Sequence, residues 1–450
     1  MIPSVNGHAI LIDNARVLTL EGPPGARSGP WHGELGVIEQ GWVFSRNGFI
    51  EAVGKGRAPQ MEMHEGESFL AVDASGLVLM PTWTDCHTHA CWTGTANRIH
   101  EWSELRSGRS YLEILKSGGG IMSTVRSVRE SSITELSDAF LHRLTAMISL
   151  GTGTIEVKTG YGLELEAELK MMRSLHRTAT EVSNKFFPMR MQGTFLGAHA
   201  IDREQPNYVG YCIQKMLPKI LEEFPCVPVD AYCEEGSWSP DETERLLRAA
   251  KDQGCPIRVH ADQFNDLGMT ARAVALGARS VDHLEASRPE TLDVLASSST
   301  IGVMLPICGL HIDDRFADGR GIVDRGGSVA VATNCNPGSA PSPSMPLAVA
   351  LAVRKNGLTP NEAIVAGTWN AACVLGTQGE QATAMIAPGQ PADFQLLDGE
   401  QEGCVSWELG SAGPRLVVIG GRVAHQRAVA MQHIENPFDD DSDETTAGEP

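Results

Sequence analysis

From position 83 onward, short runs of apolar and β-branched residues alternate with longer stretches of helical periodicity, the pattern of repeated βα units. Eight strands are predicted: 83–88, 153–158, 190–196, 228–233, 257–261, 280–284, 301–305 and 328–333. Eight is the number that a (β/α)8 barrel requires. The intervening helices carry start signals. Ser132-x-x-Glu135 and Ser239-Pro240-x-Glu242 read as capping boxes, in which each N-cap hydroxyl serves a backbone N–H three residues on. Gly151 and Gly254 read as helix stops, and Thr359-Pro360-x-Glu362 opens a helix expected to run toward Gly376. The flanks differ. Residues 8–75 and 391–430 alternate short β-like runs with Gly-rich turns, so both ends are expected to meet in one small β-sandwich beside the barrel. The expected organisation is a sandwich part over 1–79, an α/β TIM-like barrel over 80–387, the rest of the sandwich over 388–432 and an acidic, disordered tail over 433–450.

Composition narrows the class. The chain has 450 residues, 42% of them hydrophobic, and a formal charge of −20. Acidity of this size argues against nucleic acid, which needs a basic patch. The N-terminus lacks the basic and apolar segments of a signal peptide, and no run approaches eighteen apolar residues, so a cytoplasmic protein with no membrane contact is expected. Ten cysteines are scattered with no Cys-x-x-Cys pair, which indicates reduced thiols rather than a disulfide framework or a zinc ribbon.

Chemistry concentrates at the predicted strand ends, which in such a barrel converge on one mouth. His87-Thr88-His89 closes the first strand, and two imidazoles one residue apart on a strand face the same side and can grip one ion. His260 ends the fifth strand, His283 the sixth and Asn334 the eighth. A divalent ion held by neutral imidazoles lowers the pKa of bound water toward about 7, so the set suits metal-assisted hydrolysis. Zinc and iron both accept such ligands, and the sequence does not choose between them.

The chain resembles the amidohydrolase superfamily and, within it, the imidazolonepropionase family, over about residues 70–430. The resemblance rests on His87-Thr-His89, Arg98-Ile-His-Glu-Trp102, Ser110-Tyr-Leu-Glu-Ile114, Gly118-Gly-Gly-Ile-Met-Ser-Thr-Val125, Glu156-Val-Lys-Thr-Gly-Tyr-Gly-Leu163, Glu168-Leu-Lys-Met171, Leu196-Gly-Ala-His199, His260-Ala-Asp-Gln263, Asp282-His-Leu-Glu285 and Asn336-Pro-Gly-Ser339. It implies hydrolysis of the cyclic C–N bond of 4-imidazolone-5-propanoate to N-formimidoyl-L-glutamate in histidine degradation, with one divalent ion, zinc or iron. It also implies metal ligands at His87, His89, His260 and position 334, and substrate contacts at Arg98, Tyr161, His199, Gln263, Asn336, Gly338 and Ser339. His283, Gln263 and His199 are the expected catalytic groups, His283 for oxyanion contact and proton transfer, since an imidazole ordinarily titrates near neutrality. Arg98 offers the donor fork that a propionate accepts. The expected partners are this small imidazolone carboxylate and, as an open alternative, a second copy of the chain.

Two departures stand out against the family. Its arginine lies two residues closer to the second histidine, so the segment before Arg98 holds a small insertion. Where the family has Asp, this chain has Asn334, whose carbonyl can ligate but whose amide has no useful basicity. An amidohydrolase for another small nitrogen heterocycle and a catalytically impaired binding protein therefore stay open. Glu156 and Lys158 share one face of the second strand. Superfamily members with two ions use a carboxylated lysine near here, but the single-metal resemblance favours an ion pair.

Overall fold

The computed structural model describes residues 8–109, 119–377, 384–410 and 412–427. The segment 110–114 and the acidic tail 433–450 lie outside the described residues. Among the described residues, sixteen strands form two sheets. The first contains β1 (His8–Leu18), β2 (Val37–Arg46), β3 (Phe49–Lys55), β4 (Ser68–Asp73) and β5 (Leu77–Pro81); the barrel contains β6 (Trp83–Asp85), β7 (Thr152–Lys158), β8 (Arg190–Ala198), β9 (Val229–Cys233), β10 (Arg258–Ala261), β11 (Ser280–His283), β12 (Ile301–Met304) and β13 (Val329–Val331). The chain then returns to the first sheet with β14 (Phe394–Asp398), β15 (Leu416–Ile419) and β16 (Arg422–Gln426).

β6 to β13 pair in parallel in sequence order, with helices between them, and most of their residues are buried. Such strands are covered on both faces, inside by barrel side chains and outside by helices, which is why they read as near-continuous apolar runs. All eight predicted barrel strands are present. β11 and β12 end one residue before their predicted limits, and β6 ends at Asp85 and β13 at Val331, two or more residues early, because the chain there leaves regular pairing to close the barrel by single bonds. The Asn334 N–H donates to the His87 carbonyl at 3.0 Å and the His89 N–H to the Cys335 carbonyl at 2.9 Å. Below them the Asp85 carboxylate accepts the Thr333 N–H at 3.1 Å and its hydroxyl at 2.6 Å. The seam of the barrel is thus the place where the His87 segment and Asn334 meet.

The capping boxes at Ser132, Ser239 and Thr359 are all formed. Gly151 follows the helix Ile133–Ser149 with φ 93°, and a Cβ there would stand 2.0 Å from Gln395 Oε1, so both conformation and space demand glycine. The helix expected over 359–376 is instead two, Pro360–Gly367 and Trp369–Leu375, broken at Thr368 (φ −125°, ψ −87°). The Thr368 hydroxyl donates to the Ile364 carbonyl at 2.6 Å, side-chain bonding of the kind that competes with a continuing helix.

Both chain ends do share one sheet, since β14 pairs with β5. β1 bends at Asn14 (φ 58°), its first half running beside β4 and its second beside β5. That irregularity lets one hydrogen-bonded path fold around a separate apolar core containing Ile12, Val17, Val43, Leu79, Phe394 and Val418.

Candidate active site at the barrel mouth

Period two sets the layers of the barrel interior. Glu156 and Lys158 on β7, Arg258 and His260 on β10, and Ser280 and Asp282 on β11 are i, i+2 pairs, so each pair faces inward one above the other. Glu156, Lys158, Asp230, Arg258 and Asp282 form a charge network, every member less than 2% exposed along its side chain. Lys158 Nζ lies 2.7 Å from Glu156 Oε1 and 2.8 Å from Asp230 Oδ2. The Arg258 guanidinium reaches Glu156 Oε1 at 3.0 Å and Asp282 Oδ2 at 2.7 Å. Burial and the nearby Arg258 oppose the lysine's charge, but Asp230, Glu156 and Asp282 outweigh both and hold its pKa above the ordinary range. Lys158 is an ion-pair partner here.

Above this floor stand the histidines. His87 donates Nδ1–H to Asp282 Oδ2 at 2.6 Å and His260 turns Nδ1 toward Asp230 Oδ1 at 3.1 Å. A carboxylate behind each ring fixes the tautomer and leaves Nε2 as a lone pair for an ion, the arrangement that orients metal-binding imidazoles. Ligand atoms of His87, His89 and His260 all lie within 4.8 Å of one another, with His260 Nε2 only 3.3 Å from His89 Nε2. His87 Nε2 and Asn334 Oδ1 are buried and carry no hydrogen bond. Burial first, then Lys158 for His87 and His199 for His89, keep both rings neutral well below the usual imidazole range. Converging nitrogen lone pairs beside an unpartnered amide oxygen fit a divalent cation and would be costly without one.

Strand alternation would send Asp282 and His283 to opposite sides. The left-handed backbone at His283 (φ 91°) and Leu284 (φ 72°) breaks that alternation, and the His283 ring stands 6.0 Å from that of His87 and 5.6 Å from that of His260. Its Nδ1 faces Glu285 Oε1 at 3.2 Å.

A rim surrounds these groups. His199 stacks on His89 at 4.8 Å, with Tyr161 at 5.2 Å from it. His199 Nδ1–H donates to the Gly160 carbonyl at 3.1 Å, so Nε2 is a lone pair; burial, then His260, lower its pKa to about 3. The loop carrying Tyr161 is shaped by buried Glu168, whose carboxylate accepts the N–H groups of Gly160, Gly162 and Leu163 at 2.8 to 3.0 Å. Gly160 itself (φ 100°) admits no side chain, since a Cβ would lie 2.7 Å from the Leu196 carbonyl.

Gln263 Oε1 accepts from the Tyr232 hydroxyl at 2.8 Å and Nε2 donates to Cys308 Sγ at 3.4 Å. Asn336 spends its amide on its own loop: Oδ1 accepts the N–H groups of Gly338 and Ser339, and Nδ2 donates to the Asn334 carbonyl and Ser339 Oγ. That turn brings Gly338 against Arg98, where a Cβ would stand 2.7 Å from Nη2. Arg98 Nη1 pairs with Glu101 at 2.8 Å across one helical turn, and its Nε is buried without a hydrogen bond.

The structure therefore gathers all the anticipated positions at one mouth. Sequence reasoning gave no role to Asp230, Arg258 and Asp282, although the inward pairs Arg258-x-His260 and Ser280-x-Asp282 carry the same period-two signal as His87-x-His89.

A family model described as "Amidohydrolase family" matches residues 78–424. An imidazolonepropionase of Chloroflexus aggregans is 38% identical over 92% of this chain and 98% of its own length. One from Deinococcus radiodurans is 36% identical over 88% and 95%. Among solved structures, a 5-methylcytosine deaminase from Klebsiella pneumoniae superposes with a TM-score of 0.69 at 16% identity, covering 95% of this chain and 99% of the other, a likeness of fold. Matched over nearly its whole length by relatives of that identity, and bearing the histidine cluster at its barrel mouth, the chain belongs to the amidohydrolase family, among the imidazolonepropionases.

Proposed function

We propose that the chain hydrolyses the ring C–N bond of 4-imidazolone-5-propanoate, giving N-formimidoyl-L-glutamate in histidine degradation, with one divalent ion, zinc or iron, bound by His87, His89, His260 and the Asn334 carbonyl. The observation that carries this reading is the convergence of three neutral imidazoles on one point, two of them backed by carboxylates, next to an arginine-bearing rim. The ion supplies Lewis acidity and lowers the pKa of water. The chain supplies the rest. Arg98 takes the propionate by a charge-assisted fork, exchanging Glu101 for substrate. Tyr161 and the His199 face wall the heterocycle, and His199 Nε2 accepts from a ring N–H. Gln263 offers the remaining amide hydrogen, Ser339 its hydroxyl, and Asn336 with Gly338 holds the loop that lets Arg98 approach. His283 takes the proton that Asn334 cannot accept, and contacts the developing oxyanion.

Asn334 favours a second reading, a slow or substrate-shifted amidohydrolase, because the position beside the histidines lacks a carboxylate. The test is an assay of purified protein on freshly prepared imidazolonepropionate together with elemental analysis. Close to one transition-metal ion per chain with ring opening supports the first reading; metal content without ring opening, but with turnover of a related heterocycle, replaces it.

A further inference from the structure

We propose that His283, Glu285 and Cys308 form a second site for a thiophilic divalent cation such as zinc or cadmium, and that filling it withdraws His283 from the reaction. One ligand atom from each of the three residues lies within 4.8 Å of the others. All three side chains are buried, His283 at 3% and Glu285 at 6% exposure, and Cys308 is 2% exposed as a residue. Glu285 Oε1 faces His283 Nδ1, while its Oε2 is buried with no hydrogen bond. A carboxylate oxygen left so in the interior is costly unless a cation or a donor answers it. Cys308, at the start of the helix Pro306–Ile312, brings a thiol to the same point, where among the described residues its sulfur meets the weak Gln263 donor at 3.4 Å and the Ser339 hydroxyl.

Thiolate, imidazole and carboxylate are a donor set for zinc or cadmium, whereas magnesium and calcium ask for oxygen alone. Charge also closes: one thiolate and one carboxylate neutralise a dication, which suits burial. Binding displaces the Cys308 thiol proton to solvent and takes the lone pair at His283 Nδ1, so that the ring's single proton resides on Nε2. That nitrogen can then donate but no longer accept. The site fills after the first one, because the ion must displace a proton and the Gln263 contact, whereas the lone pairs of His87 and His260 are already freed by the carboxylates behind them. The effect on turnover rests on the role proposed for His283; the binding itself does not.

The protein carrying its first ion is titrated with cadmium ion alone, followed by ultraviolet thiolate-to-cadmium charge transfer and by metal counting. One further equivalent is expected, accompanied by the charge-transfer band, which the thiol-free histidine site does not produce. Cys308→Ser should lose the band, keep the first ion and weaken the second by roughly 100-fold, the upper range seen when even outer-shell partners are removed. Loss of hydrolysis should track the band in the wild type and be reversed by a chelator. No thiolate band in the wild type, or a band undiminished in Cys308→Ser, overturns the site. A band that grows while hydrolysis stays constant overturns the withdrawal of His283, and a protein inactive on imidazolonepropionate still reports the site through the band.

Discussion

The floor of the barrel and its rim each place an arginine among polar side chains, under opposite rules. On the floor, Glu156, Lys158, Asp230, Arg258 and Asp282 answer one another in ion pairs, and two of the carboxylates also hold His87 and His260 in place. On the rim, Tyr161, His199 and Arg98 stand together; His199 spends Nδ1 on the Gly160 carbonyl and keeps Nε2, and Arg98 pairs with Glu101 while its Nε is buried without a hydrogen bond. The contrast separates two kinds of work. An ion-paired, buried network fixes position, since its members have nowhere else to go; groups with spare bonding capacity are ready to exchange their present neighbours for a ligand.

Breaking the floor should cost the most. Asp282→Ala leaves Arg258 with Glu156 as its one remaining carboxylate partner in the network and His87 without its anchor, and should lower unfolding stability by about 3 to 5 kcal/mol, measured by urea denaturation, with loss of bound metal. Retained stability and metal would show that the floor does not position the site. Asn334→Asp probes the border between the two regions. Restoring a carboxylate should raise the hydrolysis rate by about 10² to 10⁴-fold with little change in fold, because general-base catalysis commonly contributes that much. A neutral or harmful result, with a wild type already fast, would leave the proton transfer with His283. Combining Asn334→Asp with His89→Ala should lose the gain.

On the rim, Arg98→Met should weaken substrate binding by roughly 2 to 5 kcal/mol while metal content and melting temperature stay near wild type. An unchanged dissociation constant would place the carboxylate elsewhere. Ser132→Ala, remote from both regions, removes one capping bond and should cost about 1 kcal/mol of stability with no change in metal or substrate affinity. Any shift in those affinities would mean that the helix Ile133–Ser149 is coupled to the mouth.

The barrel was legible because its signals are local. Apolar runs bounded by Gly and by capping boxes at Ser132, Ser239 and Thr359 mark strands and helices without knowledge of the fold. His87-x-His89 was legible for the same reason. The break at Thr368 was not, because a threonine is compatible with a helix until its hydroxyl binds the preceding turn. The bend in β1 was equally hidden, since it depends on which strand lies beside each half. Asp230 and Asp282 escaped because a carboxylate behind a ligand is defined by a contact across the barrel. Cys308 is one of ten scattered cysteines in the sequence, and the approach of the helix Pro306–Ile312 to His283 gives it company.

The pairing of β14 with β5, with Pro81 opposite Phe394, sets a timetable for biosynthesis. The inner edge of the terminal sheet stays unpaired while the whole barrel is being translated, on the order of fifteen seconds to a minute at ordinary ribosomal speed. An apolar strand edge exposed for that long invites pairing with other nascent chains. His87 and His89 emerge just behind it and wait for Asn334 to close the seam, and a chain stalled before Phe394 should be a client for chaperones.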